Sequence, residues 1–249
     1  MDMYKSRMHS VNCYFSGLGL IFKPGIRRYV FIPLFINSLL FSLASWLLWT
    51  YLSSVLDDLL PSWLEWLSWL LMPIFSIISL SLVYFCFTLV ANLIAAPFYA
   101  HLSRSVEVYL RGEEVEQDGT SSLTLMSAVK VIGSELRKVS YYLIRAIPLL
   151  LLSIIPGVNV VALPLWLLFS AWFLTFDYTG YYHENHQVLF HQQKSYMSHD
   201  RLNHLLFGLL SLFATSIPVL NLFSPAIAVA GATKMLVEKG VLRDSRIIN

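Results

Sequence analysis

Charge is what this sequence most lacks. Only 13% of its 249 residues are Asp, Glu, Lys or Arg, about half the share found in a soluble domain. Apolar residues make up 57%. Gathered in long runs, they exceed what a water-soluble core takes in, and a disordered chain would be poor in them. Both classes are excluded, leaving an integral membrane protein. Cysteine is scarce too. Cys13 and Cys86 lack the paired spacing of a disulfide scaffold or a zinc motif. The 17 basic and 15 acidic residues leave a net +2, which gives no electrostatic case for nucleic acid. No Walker lysine loop, Gly-x-Ser-x-Gly or HExxH pattern occurs, so ATP-coupled and hydrolytic chemistries have no footing. Gly17 and Gly19 lack the third glycine and the preceding strand of a dinucleotide fold. An enzyme is therefore not expected, and no catalytic residue, metal ligand or cofactor is assigned. The first residues mix Asp2, Lys5 and Arg7 with polar positions up to Ser16. That is not the layout of a cleaved signal, so the first apolar run is expected to stay in the mature protein.

What is present is four long stretches without Asp, Glu, Lys or Arg: residues 29–56, 66–102, 146–176 and 202–233. A simple spanning helix needs roughly 20 apolar residues, and all four exceed that. The first two predict long spanning helices, over 29–56 and 66–100. Trp46, Trp49 and Tyr51 face Trp63, Trp66 and Trp69 across a connection carrying Asp57, Asp58 and Glu65 but no base. This reads as an aromatic belt on one side, with both outer ends of the pair on the cytoplasmic, basic side.

The other two runs are broken by proline at their middles, in Ile155-Pro156-Gly157-Val158-Asn159 and Ile217-Pro218-Val219-Leu220-Asn221. Proline removes a helical hydrogen bond and bends or ends the helix. Each half is then roughly 10 to 15 residues, short for a crossing. A kinked spanning helix and a hairpin that dips in and returns both fit; the hairpin is the preferred reading. The shared Ile-Pro-x-x-Asn suggests a weak internal repeat. The expected fold class is all-α integral membrane, a single domain over 1–249. It has two long transmembrane helices and two Pro-broken, partly inserted helical hairpins, with an extramembrane or interfacial helical region over 101–145.

The sharpest local feature is Pro24-Gly25-Ile26-Arg27-Arg28, a turn followed by a new helix entering the first run. A helix N-terminus has unpaired N–H groups and partial positive charge. Two arginines in its first turn are unfavourable there unless an anion shares the place. Guanidinium forks suit oxyanions, so the loop is either a site for a tetrahedral oxyanion or lipid phosphate, or a basic cluster holding the end of a span. Arg104, Glu107 and Arg111 share one helical face by their spacing. They form either a solvated ion-pair face or the charged lining of an ion path. The segment 113–119 reads as an exposed acidic turn. Leu123 to Tyr142 reads as an interfacial helix or a continuation into the third run. His183, His186 and His191, beside Glu184, match no metal pattern and read as loop histidines. Tyr178, Tyr181 and Tyr182, after Asp177, read as an interfacial anchor.

Three blocks resemble one family: GLGLIFKPGIRRYVFIPLFIN at 17–37, NLIAAPF at 92–98 with Val106-Glu107 downstream, and IPVLNLFSPAIAVAGAT at 217–233. They are similar to CysZ, the bacterial inner-membrane sulfate permeases associated with cysteine biosynthesis. Ile26 stands where that family often has Leu, which is immaterial to a backbone donor. The resemblance implies two long spanning helices with shorter, partly inserted hairpins. It also implies a homo-oligomer whose subunits can insert in opposite orientations, which takes weight off the charge-based topology. It further implies a multi-pass protein of the inner membrane that takes up sulfate, with sulfite as a second anion, through a channel or permease. Its sulfate-binding loop falls on Gly25, Ile26, Arg27 and Arg28, the first two donating backbone N–H groups. Arg104, Glu107 and Arg111 become part of the conduction route. The partners are then sulfate and membrane lipids, not nucleic acid. Two rivals are a structural or regulatory protein whose arginine pair holds phospholipid headgroups, and an enzyme acting on a lipid phosphate. The latter finds only His9 and Asp2 nearby to serve as a base.

Overall fold

The computed structural model describes residues 2–59, 68–112 and 125–240, which are helical or in short turns, with no strand among the described residues. In chain order the helices are α1 (Asp2–Leu20), α2 (Arg28–Leu59), α3 (Ser68–Arg111), α4 (Leu125–Ile154) and α5 (Asn159–Asn185), followed by α6 (Phe190–His199), α7 (Arg201–Thr215), α8 (Pro218–Asn221) and α9 (Ser224–Glu238). The segment 113–119 and Trp63 and Trp66 lie outside the described residues, as do the side chains of Trp49, Tyr51 and Trp69.

Two units divide the chain. One comprises Phe31–Phe98, the body of α2 and the first part of α3. Pro33, Pro73 and Pro97 sit inside these helices without ending them, and α3 runs on past Pro97 to Arg111 as the charge spacing required. Described side chains here are apolar and outward: Phe35, Leu39, Trp46, Ile77 and Ile78 are exposed. The hydroxyls turn back on their own helix. Ser42 donates to the Ser38 carbonyl at 2.9 Å and Ser81 to that of Ile77 at 2.7 Å. A surface this apolar suits lipid, where an unpaired polar group has no water to turn to; the buried Asn37 Oδ1 is left without a partner.

The other unit comprises Met1–Val30 and Tyr99–Asn249. Its core is α1, α5, α7 and α9, with the last turns of α3 against them. On α9 every residue from Ala226 to Thr233 is buried, most of them small. Small residues let helix backbones approach closely, and Gly208 of α7 likewise sits tight against the Ala171 carbonyl of α5. Buried hydroxyls pair across helices: Ser103 with Thr233 at 2.8 Å, Tyr14 with Ser224 at 3.3 Å.

Among the described residues, two helical stretches, Arg28–Leu47 and Asn159–Asn185, are long and apolar enough to cross a membrane. The second differs from the sequence expectation of short half-helices. At 27 residues α5 reaches about 40 Å, because it does not stop at Asp177. Lys138 of α4 holds that carboxylate at 2.8 Å, and the helix continues into the protein core. The tyrosines beyond it are accordingly not all interfacial anchors: Tyr178 and Tyr182 are buried.

The proline breaks form where the sequence places them, but they are built differently. Between α4 and α5 the chain reverses in one tight turn, with Gly157 at φ +82°. Trp166 donates to Ser153 Oγ at 3.0 Å and Trp172 to the Tyr141 hydroxyl at 3.3 Å, pairing the two arms antiparallel. The second break holds an extra four-residue helix, α8, entered through Ile217 in extended conformation, as a residue before proline prefers. Val219 stands where the first break has glycine, so a reversal through positive φ is disfavoured.

Candidate functional site

The loop between α1 and α2 is folded by its own turns. The Ile26 and Arg27 amides both donate to the Lys23 carbonyl at 3.1 Å, and those of Tyr29 and Val30 to Ile26 and Arg27 at 3.0 and 3.1 Å. Gly25 takes φ +87°, a conformation disfavoured for side chains with a Cβ. Ile26 is buried in the core and pins the loop, while Lys23, Arg27 and Arg28 point outward. The Ile26 N–H is thus occupied by Lys23, whereas the amides of Gly25 and Arg28 have no backbone acceptor among the described bonds.

Aromatic rings hold two of the cations. Arg28 donates to the Tyr29 hydroxyl at 2.8 Å and lies 4.7 Å from that ring's centre. Tyr29 in turn stacks on His101 of α3, 5.8 Å between centroids. Lys23 sits 5.7 Å from the centre of the Tyr109 ring. Such contacts direct a cation without neutralising it. Among the described residues neither Lys23, Arg27, Arg28 nor Arg104 has a carboxylate partner. Unpaired positive charge concentrated beside a helix N-terminus is an anion-attracting arrangement.

The second predicted group divides. Glu107 is buried and held on two sides, by Arg111 at 2.7 Å and by His186 Nε2 at 2.7 Å. Arg104 is exposed and outside that network. His186, at the C-cap of α5, is therefore not a plain loop histidine, and Asn185 beside it donates to the Ala100 carbonyl at 2.9 Å. His183 is also helical and buried, its Nδ1 bonded to the Thr179 carbonyl at 2.8 Å; buried His204 repeats the arrangement with Asp200. His191 is exposed on α6. The pairings of Tyr29 with His101, of Lys23 with Tyr109 and of Glu107 with His186 were not visible in the sequence, since the partners lie on different elements. Only the basic run 23–28 marked the place.

Elsewhere, Asp200 accepts from Asn203 at 2.8 Å and from Lys239. Burial alone would raise its pKa, but the bonds from Lys239 and Asn203 and the Lys239 charge outweigh burial and hold it below the usual carboxylate value.

The family model described as "Sulfate transporter CysZ/Etoposide-induced protein 2.4" matches residues 13–225. A protein of Pseudomonas paraeruginosa named sulfate transporter CysZ is 39% identical over 91% of this chain and 95% of its own. One of the same name from Salmonella typhimurium is 41% identical over 90% of each, and one from Pectobacterium atrosepticum is 38% identical over 92% of this chain and 84% of its own.

Proposed function

The chain belongs to the CysZ/EI24 family of sulfate transporters, and from that premise we propose that it carries sulfate across the bacterial inner membrane as a multi-pass protein, supplying cysteine biosynthesis. The observation that carries this is the uncompensated cation loop. Lys23, Arg27 and Arg28 meet no acid among the described residues, and exposed Gly25 beside them has an amide with no backbone acceptor.

Sulfate is doubly charged and strongly hydrated. A site for it replaces water with fixed donors, and a transporter must release it, so binding should be modest. The Gly25 N–H and the Arg27 and Arg28 guanidiniums are the ready donors. Ile26, on its occupied amide, contributes by anchoring the turn, and its N–H joins only if it exchanges Lys23 for the anion. Beyond the loop, Arg104 and the Glu107–Arg111–His186 group line the route. Buried charge that is paired and hydrogen-bonded is tolerated at membrane depth. The Pro-broken segments 146–176 and 202–233 enter the bilayer as hairpins, and subunits associate as a homo-oligomer. Lipid borders the exposed apolar residues; an open pocket of about 590 Å³ lined by Tyr141, Arg145, Trp172, Lys194 and Arg201 suits its headgroups.

Radiolabelled sulfate flux into sealed proteoliposomes tests the function, and calorimetry in detergent tests the site. Arg27→Ala with Arg28→Ala should weaken sulfate binding at least ~10-fold, since each charge-assisted bond is worth roughly 1.5–3 kcal/mol. Unchanged binding in that variant removes the site assignment; no flux in the wild type removes the function.

A further inference from the structure

Outside the anion loop, one set of metal-ligating side chains converges between α1 and α9. His9 and Cys13 lie four residues apart on α1, so they share a face, and that face meets Glu238 in the last turn of α9. Cys13 Sγ is 3.7 Å from His9 Nε2 and 3.5 Å from Glu238 Oε2, and His9 Nε2 is 3.6 Å from Glu238 Oε2. The last distance is too long for a nitrogen–oxygen hydrogen bond. A tetrahedral zinc ion with its usual bond lengths to sulfur, nitrogen and oxygen holds these atom pairs roughly 3.4–3.6 Å apart. The three separations lie within about 0.2 Å of that triangle, the tolerance asked of a metal site.

We propose that His9 Nε2, Cys13 Sγ and Glu238 Oε2 form a site for a soft divalent cation of the zinc class, stapling α1 to α9. The donor set is borderline-soft, as such ions prefer. Cys13 is buried, whereas His9 and Glu238 are partly exposed, so a cation has a way in and a water can complete the tetrahedron. Lys234 approaches the other carboxylate oxygen, Oε1, at 3.7 Å, leaving Oε2 turned to the thiol. A bound cation takes the place of the thiol proton that Cys13 directs at Glu238. α1 leads straight into the turn at 21–27, so the staple fixes the helix on which the anion loop is hung.

The test uses full-length protein freed of any affinity tag and titrated with cobalt(II), then displaced by zinc. One equivalent should produce a thiolate-to-cobalt charge-transfer band, and zinc should abolish it. Cys13→Ser should remove the band, and His9→Ala or Glu238→Gln should weaken zinc binding at least ~100-fold, more than losing an outer-shell partner costs. Cys86→Ser should leave both unchanged. Helicity and elution volume report the fold of each variant, and Glu238→Gln, at a partly exposed position, serves if Cys13→Ser does not fold. No band in the wild type, or full zinc affinity in folded Glu238→Gln, overturns the site. Sulfate binding is read separately, so failure here leaves the transport reading standing.

Discussion

Gly17 of α1 and Gly231 of α9 meet backbone to backbone. A Cβ on Gly17 would stand 2.9 Å from the Gly231 amide nitrogen and closer still to the Ile227 carbonyl oxygen. Gly17→Ala should therefore force α1 off α9 and cost about 1–3 kcal/mol. Gly19, two residues on, has nothing within 4 Å. Gly19→Ala should stabilise by roughly 0.5–1 kcal/mol, the helix preference of alanine over glycine. Thermal unfolding of both variants in one detergent gives the comparison; equal shifts would contradict the packing.

Gly25 is unlike Gly17 because it has space but not freedom. Nothing lies within 4 Å of a Cβ there, yet φ is +87°. A β-carbon in such a conformation costs roughly 1–3 kcal/mol. Gly25→Ala should lower sulfate affinity several-fold with helicity retained, and calorimetry reads it directly.

Glu107 should be the most sensitive charged residue of its group. Glu107→Ala leaves Arg111 and His186 facing a buried gap. Breaking a buried pair costs roughly 3–5 kcal/mol, and since both partners keep some contact with solvent, about 2–3 kcal/mol is the fitting scale. Arg104→Ala should cost less than about 0.5 kcal/mol in stability yet slow sulfate flux. Chemical denaturation and liposome uptake separate the two effects.

Asp200 sets an acid limit. Its folded pKa lies below the ordinary 3.8, so it stabilises the fold fully above that value. The contribution fades as pH falls below 3.8 toward the folded value, because unfolding then takes up a proton. Below about pH 4 the wild type should lose thermal stability more steeply than Asp200→Asn.

The long helices α2 and α3 were legible because apolar runs leave few choices of structure in a membrane. Both proline breaks were legible because proline acts on its own backbone. The inner length of α5 was not: the residues past Asp177 are buried against other helices, which adjacent residues do not reveal. In the candidate site the basic loop, with Tyr29 next to Arg28, could be read from adjacent residues, while the ring beside Lys23, the stacking of Tyr29 on His101 and the histidine on Glu107 could not.

By itself the sequence determined that the chain is helical, membrane-bound and basic before its first crossing, for those properties follow from composition and from neighbours along the backbone. Only the tertiary structure decided that the Ile26 amide is occupied while that of Gly25 is not, and that His9 and Cys13 reach Glu238. Glu238 is separated from the other two by most of the chain, and nothing short of packing α1 against α9 brings the three together.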